Sequence, residues 1–133
     1  MLIDAGPLVA IVDRGEARHA DCVAALSRLR GPLLTTWPAF TEAMYLLGDA
    51  GGWKAQQALW GMASEHVQVV DLDSPTVERA RELMAKYSNV PMSLADATLV
   101  AMAERRGIAK VFTLDSDFRI YRFRGRKTFE LVP

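Results

Sequence analysis

An apolar run that ends in two carboxylates constrains this chain more than any other stretch of its sequence. Residues 110–118 read KVFTLDSDF, and their apolar positions have the pattern of a short strand buried on both faces of a parallel sheet. Asp115 and Asp117 follow this strand at its carboxyl end. Open α/β sheets bind their ligands in the crevice at that edge, so the pattern predicts a functional site there.

The beginning of the chain repeats the arrangement. The apolar residues 1–3 form a minimal strand, Asp4 follows it, and Pro7 suits the first turn of a helix. Beyond this point, periodicity and breaker residues predict helices over residues 7–13, 17–30, about 38–47, 53–64, 74–87 and 93–106, and strands over 33–35, 67–70 and 129–132. The alternation predicts an α/β fold with three layers, α/β/α, around a short, mostly parallel central sheet.

Length and composition are those of an ordinary domain. The chain has 133 residues, 50% of them hydrophobic, so residues 1–133 are expected to form one domain with its own core. Its single cysteine, Cys22, excludes an intramolecular disulfide and has the helical spacing of a core residue. No apolar run approaches the roughly 20 residues of a membrane span, and a strand occupies the place of a signal peptide. We therefore expect a cytoplasmic protein with no membrane partner.

The net charge is zero, but the basic residues are concentrated in one place. Five of the 16 lie within residues 119–127, where there is no acid, so the rest of the chain is acidic. Such asymmetry is typical of a polyanion contact beside a cation-binding site, although a solvated C-terminal arm explains it equally well. In the first interpretation, phosphate groups contact Arg119, Arg122, Arg124 and Lys127.

A third acid of interest lies inside an apolar helix. Asp96 is the only charged residue among positions 94–103, and an ionised carboxylate buried there is costly unless it is paired or bound to a metal. A structural alternative exists, because Ser93 and Asp96 have the spacing of a capping box. Asp115 has a similar alternative as the cap of a short helix, and Glu42 has one as a surface residue of an amphipathic helix.

Structural alternatives account for individual acids, but they do not explain why four acids are expected at one place. Asp4 and Asp115 follow the ends of two strands, and Glu42 and Asp96 lie near the starts of two helices. These strand ends and helix starts are expected to meet at the same edge of the sheet. Carboxylates that close repel one another unless a cation lies among them, and oxygen ligands favour Mg²⁺ or Mn²⁺. Zinc is not indicated, since the two histidines are isolated in the sequence and are expected at the surface.

The sequences around these acids resemble the four-acid signature of the PIN-domain nucleases. They read LIDAGPLVA at Asp4, FTEA at Glu42, SLADA at Asp96 and TLDSDF at Asp115. The length and the RKTFELVP ending resemble the VapC-type toxins of type II toxin–antitoxin systems. The resemblance implies a PIN-like fold, an endoribonuclease that depends on Mg²⁺ or Mn²⁺, a homodimer, and a cognate antitoxin whose tail enters the acidic crevice. One departure is Ala5, since many members have Ser or Thr after the first Asp.

The set of carboxylates also motivates a hypothesis for the role of each acid in RNA cleavage. Asp4, Asp96 and Asp115 hold the metal, directly or through water, Asp117 supports them or binds a second ion, and Glu42 orients or deprotonates the attacking water. The catalytic set is thus Asp4, Glu42, Asp96 and Asp115. An in-line attack by water predicts products with a 5′-phosphate and a 3′-hydroxyl.

Two other functions stay open at this point. An aspartate-nucleophile phosphatase also carries an Asp-x-Asp pair after a strand, as Asp115 and Asp117 do, although here the pair lies late in the chain. A non-catalytic binding module would keep the fold and use its basic arm or its dimer face. Trp53 and Trp60, seven residues apart on one helical face, are expected in the core, but in such a module they would anchor a partner.

Overall fold

The first strand lies at the centre of the sheet. The computed structural model describes residues 1–133 and contains seven strands: β1 (Leu2–Ile3), β2 (Leu33–Thr36), β3 (Val67–Val70), β4 (Lys110–Phe112), β5 (Arg122–Phe123), β6 (Lys127–Thr128) and β7 (Glu130–Val132). Five of them form an all-parallel sheet in the order β3-β2-β1-β4-β7, whereas β5 and β6 form a separate antiparallel hairpin. The predicted parallel sheet is confirmed, and the hairpin in the basic segment is an addition to it.

Most helices begin at a side chain that accepts a backbone N–H. The helices are α1 (Ala5–Val12), α2 (His19–Arg28), α3 (Trp37–Glu65), α4 (Ser74–Lys86) and α5 (Leu94–Arg106), with a 3₁₀ turn at Ser116–Arg119. The N-caps of α1, α3, α4 and α5 are Asp4, Thr36, Asp73 and Ser93. None of these helices is both long and apolar enough to cross a membrane.

Alternating strand residues enter two hydrophobic cores, one on each face of the sheet. Leu2 and Val111 belong to the core that α4 and α5 cover, while Ile3 and Phe112 belong to the core beneath α1, α2 and α3. All four side chains are fully buried. The three-layer α/β/α architecture predicted from the sequence is therefore confirmed.

The third helix differs from the prediction in continuity and in its tryptophans. It is one element in place of two, and Gly52, with φ of 63°, kinks it where the two predicted helices were separated. The expectation that Trp53 and Trp60 lie in the core is wrong, since they are 64% and 45% exposed. After the kink, Leu59 is fully buried in the core, and the ring of Trp60 packs edge-on against Phe40.

Helix α2 packs against α1 through a buried cysteine and a histidine hydrogen bond. Cys22 is fully buried in the core beneath α1, as predicted. His66 is exposed as expected, but His19 is half-buried, with Nδ1 hydrogen-bonded to the carbonyl oxygen of Ala10 at 2.6 Å. No side chain caps the start of α2, so this contact holds that end of the helix against α1.

Substitution by alanine is expected to change the stability of the protein in opposite directions at two glycines. Gly107 ends α5 in the left-handed region, with φ of 68°, whereas Gly61 lies in the exposed interior of α3 with open space where a Cβ would be. We expect Gly107→Ala to lower the free energy of unfolding by about 1 kcal/mol, because L-residues disfavour that backbone conformation. Gly61→Ala is expected to raise it by about 1 kcal/mol through helix propensity. Urea denaturation of both variants is the measurement, and a shift of the same sign in both would contradict the prediction.

Candidate active site

The acidic residues meet where the strand order changes direction. From β1 the chain builds the sheet outward through β2 and β3, then crosses back to place β4 on the other side of β1. In such sheets the loops leaving the two central strands diverge and form the ligand-binding crevice. A crevice of about 390 Å³ lies at this point, and its lining includes all five predicted acids: Asp4, Glu42, Asp96, Asp115 and Asp117.

Asp4 is the most deeply buried of these carboxylates. It follows β1, where its backbone N–H donates to the carbonyl of Phe112 at 3.0 Å. Its Oδ1 accepts the N–H of Ala5 at 2.7 Å, and its Oδ2 accepts the hydroxyl of Thr113 at 2.9 Å. Burial raises the pKa of Asp4 to about 6, against the lowering effect of these hydrogen bonds, and the charges of Glu42 and Asp115 raise it further.

Asp96 approaches the crevice from the first turn of α5. Its backbone N–H is capped by the Ser93 hydroxyl at 3.1 Å, as the capping alternative predicts. Its carboxylate does not return to the cap, however, because Oδ2 accepts the hydroxyl of Tyr121 at 2.9 Å. Burial, followed by the nearby charge of Asp4, raises the pKa of Asp96 to about 7. Asp96 is therefore more than a capping residue.

Asp115 is tied to the first carboxylate through a shared hydroxyl. Thr113 Oγ1 donates to Asp4 and accepts the backbone N–H of Asp115 at 3.0 Å. Asp115 Oδ1 accepts the N–H of Asp117 at 2.9 Å and so caps the 3₁₀ turn, which bears out the structural alternative for this residue. Its Oδ2 makes no hydrogen bond. Capping by one oxygen therefore leaves the other free at the crevice.

Glu42 differs from the other acids in being untethered. It lies in the second turn of α3, one turn farther along than predicted. Its side chain is exposed, lines the crevice, and makes no hydrogen bond or ion pair. The seven ion pairs of the structure all lie elsewhere, so no basic side chain neutralises the acids of the crevice.

The donor set is suited to a hard divalent cation. All the charged residues that line the crevice are carboxylates, and neither histidine is near them. No three acidic, histidine or cysteine side chains are close enough to ligate one ion directly. Mg²⁺ tolerates this arrangement, since it is commonly bound through one or two carboxylates and keeps several waters. The raised pKa values of Asp4 and Asp96 point the same way, because a cation would relieve the repulsion that contributes to them.

The basic segment is more ordered than a solvated arm. Arg122 donates through Nη1 to three backbone carbonyls of the 3₁₀ region, and Arg124 donates to the carbonyl of Glu104. These two predicted phosphate-binding side chains are thus already engaged within the protein. Arg119 and Lys127 are exposed and have no hydrogen bond or ion pair, so their charges are available to a ligand.

Tyr121 is the site residue that the sequence does not reveal. It lies in the basic segment, yet its side chain is fully buried, and burial together with the charge of Asp96 holds the pKa of its hydroxyl far above the usual range. The one available signal is the spacing of Phe118 and Tyr121, which places two aromatic rings on one face of a turn. The bridging role of Thr113 is also invisible in the sequence.

The fold and the crevice place the chain among the α/β proteins whose ligand site lies at the switch point of a parallel sheet. A family model described as the PIN domain matches residues 1–124, so the chain belongs to the PIN domain family. This membership confirms the resemblance found in the sequence.

Curated and solved relatives match along nearly their whole length. Ribonuclease VapC26 of Mycobacterium tuberculosis is 27% identical over 135 residues, covering all of both chains. The crystal structure of M. tuberculosis VapC20, a sarcin–ricin-loop-cleaving toxin, matches with a TM-score of 0.85 at 22% identity, over 99% of this chain and 98% of that one. A toxin–antitoxin complex from Klebsiella pneumoniae matches with a TM-score of 0.65 at 19% identity, over 88% of each chain.

The raised pKa values predict a pH-dependent stability of the cation-free protein. A carboxyl whose pKa is raised by folding stabilises the folded state fully below its unfolded pKa, and this contribution is lost as the pH rises through the folded pKa. For Asp96 the loss runs from about pH 4 to about pH 7. Asparagine does not ionise, so we expect Asp96→Asn to avoid this loss of stability. The substitution should raise the free energy of unfolding by about 2 kcal/mol at pH 8, and by much less at pH 4.

The readout is the difference between variant and wild type in urea denaturation with EDTA across this pH range. Asp49→Asn is the matched control, because Asp49 is an exposed carboxylate of α3 without a hydrogen bond or ion pair. A pH-independent difference for Asp96→Asn would contradict the assignment of repulsion and burial to this residue.

Proposed function

We propose that this chain is an endoribonuclease dependent on Mg²⁺ or Mn²⁺, and that it is the toxin of a toxin–antitoxin pair. The observation that carries the proposal is the unneutralised carboxylate crevice at the switch point of a PIN domain. The full-length similarity to a ribonuclease and to toxin structures supports it. In this proposal residues 1–133 act as one nuclease domain in the cytoplasm.

Asp4, Asp96 and Asp115 are the residues that would hold the cation, directly or through water, with Asp117 beside them. When bound, a divalent cation supplies Lewis-acid chemistry, making water a stronger acid and offsetting charge on the phosphate. The protein's own contribution is to fix the carboxylates. Hydrogen bonds hold one oxygen of Asp96 and of Asp115, and both oxygens of Asp4, so the site is arranged before RNA arrives.

Glu42 is the residue placed to handle the attacking water. Its carboxylate lines the crevice without a hydrogen-bond partner, so it is free to accept a proton from water or to orient it. Attack by water opposite the leaving oxygen breaks the bond between phosphorus and the 3′-oxygen. The products are then a 5′-phosphate and a 3′-hydroxyl. Water is the nucleophile in this reaction, so the RNA 2′-hydroxyl is not needed in that role.

The basic segment is proposed to contact the RNA backbone. Arg119 and Lys127 are exposed and unengaged there, as is Arg126, whereas Arg122 and Arg124 contribute charge while bound to backbone carbonyls. The crevice itself repels phosphates until a cation is present, so positive charge beside it provides the initial attraction.

The same crevice is proposed to receive the antitoxin. Its acids have no basic partner within the chain, and a cationic side chain on a partner's tail would pair with them and occupy the place of the metal. The structural match to a toxin–antitoxin complex supports a partner of this kind.

A homodimer is proposed through an apolar surface next to the crevice. Trp37, Tyr45 and Leu94, which are 41%, 68% and 53% exposed, line one groove between α3 and α5. Trp37 also packs against Phe40, whose ring contacts the half-exposed Trp60. The lining of the groove contains one charged residue, the carboxylate Glu42, so the groove suits an apolar partner better than RNA. A second copy offers an identical apolar patch for a two-fold contact.

The central test is RNA cleavage by the purified protein. The panel contains structured RNAs, including a sarcin–ricin-loop hairpin, each with Mg²⁺, Mn²⁺ or EDTA. We expect cation-dependent cutting that Asp96→Asn reduces by more than about 100-fold, since a residue proposed to hold the cation should cost more than an outer-shell partner. Extension of the products by poly(A) polymerase would identify the 3′-hydroxyl.

The stability of the variant makes a loss of cleavage interpretable. Asp96→Asn is expected to be at least as stable as wild type at pH 8, so lost cleavage does not reflect unfolding. Uncut RNA throughout the panel would contradict the endoribonuclease, and protein that also fails to bind Mn²⁺ would favour a binding module.

The homodimer is tested by adding charge to the groove. Tyr45→Glu is expected to convert a dimer to a monomer in light scattering, because a carboxylate desolvated in an apolar interface costs several kcal/mol. Val77→Glu is the control, since Val77 is an exposed apolar residue of α4, away from the groove. A monomeric wild type, or a dimer that survives Tyr45→Glu, would contradict this interface.

A further inference from the structure

Tyr121 is held in one position by the aromatic rings around it. Its side chain is fully buried, and its ring lies edge-on to Tyr87 and to Phe118, with centroid distances of 5.1 and 5.2 Å. Phe118 belongs to the 3₁₀ turn that Asp115 caps, so the same turn carries one crevice acid and fixes the tyrosine. The hydroxyl therefore has little freedom to choose another partner.

The hydroxyl makes the one hydrogen bond that the Asp96 carboxylate receives. It donates to Oδ2 at 2.9 Å, and Oδ1 has no hydrogen-bond partner. Asp96 itself is anchored by its backbone N–H to Ser93 and lines the crevice. Without the hydroxyl, the carboxylate is free to turn about its last torsion, which is broad for aspartate.

We propose that Tyr121 is a positioning residue for the active site, whose hydroxyl fixes Oδ2 of Asp96 so that Oδ1 faces the crevice as a cation ligand. The inference rests on the proposed function, because it assigns a role in holding the cation. It extends the site to the basic segment, 25 residues beyond Asp96 in the chain. That segment thus contributes geometry to the carboxylates as well as positive charge beside them.

A comparison among the acids shows why this contact matters. Asp4 has two donors, one to each oxygen, and Asp115 has a backbone donor supplied by its own turn. Asp96 has one donor, and that donor comes from a distant segment. Loss of Tyr121 therefore frees Asp96 to turn away from Asp4, whose like charge repels it.

The test removes one hydroxyl and compares it with a neighbouring one. Tyr121→Phe deletes the contact with Asp96 and keeps the ring, while Tyr87→Phe makes the same change on the adjacent ring, whose oxygen accepts only the Arg122 N–H. We expect Tyr121→Phe to weaken Mn²⁺ binding in calorimetry by about 10- to 100-fold. It should lower kcat for RNA to a similar extent and leave KM nearly unchanged, with neither effect in Tyr87→Phe.

The outcomes separate this inference from the function on which it rests. Wild-type affinity for Mn²⁺ and wild-type kcat in Tyr121→Phe would overturn the role of Tyr121 and leave the nuclease intact. Equal losses in both variants would also overturn it, by showing a general effect of the aromatic cluster. A wild type that neither binds Mn²⁺ nor cuts RNA would overturn the proposed function, and this inference with it.

Discussion

The burial of two carboxylates at one sheet edge is the constraint on which the rest of the site depends. Asp4 and Asp96 are 5% and 6% exposed, and the charge of Asp4 raises the pKa of Asp96. No ion pair relieves them, so the chain meets the cost with directed donors: a backbone N–H and Thr113 for the first, Tyr121 for the second. These donors hold the carboxylates in place without neutralising them. The site therefore keeps a net attraction for cations.

The hydrophobic cores fix where these carboxylates lie. Strand β1 has two residues, and each points into a different core, so a slip of one residue would exchange Leu2 and Ile3 between the two faces. Asp4 continues the ladder beyond β1 by donating its N–H to Phe112. The position of the first acid is thus set by the packing of the two residues before it. A very short strand suffices because it is paired on both sides.

What could be predicted from the sequence was local, and what could not was long-range. Strand ends, helix caps and the parallel sheet follow from patterns within a few residues, and they bring the five acids to one edge. The contact of Tyr121 with Asp96 joins two segments that are far apart in the chain, and no local sequence pattern indicates that they meet. The failure at Trp53 and Trp60 has a similar origin. Their spacing places both rings on one face of the helix after Gly52, but it does not show which face meets the core, and Leu59 is the residue buried there.

The contrast between held and free carboxylates explains how one crevice can serve two tasks. A group that holds a cation benefits from fixed oxygens, because geometry set in advance costs nothing when the ligand binds. A group that moves a proton must exchange its hydrogen-bond partners during the reaction, so a permanent donor would hinder it. Asp4, Asp96 and Asp115 have permanent donors, whereas Glu42 has none and lies at the exposed rim. The division of roles among the four acids thus follows from which of them the fold leaves unbound.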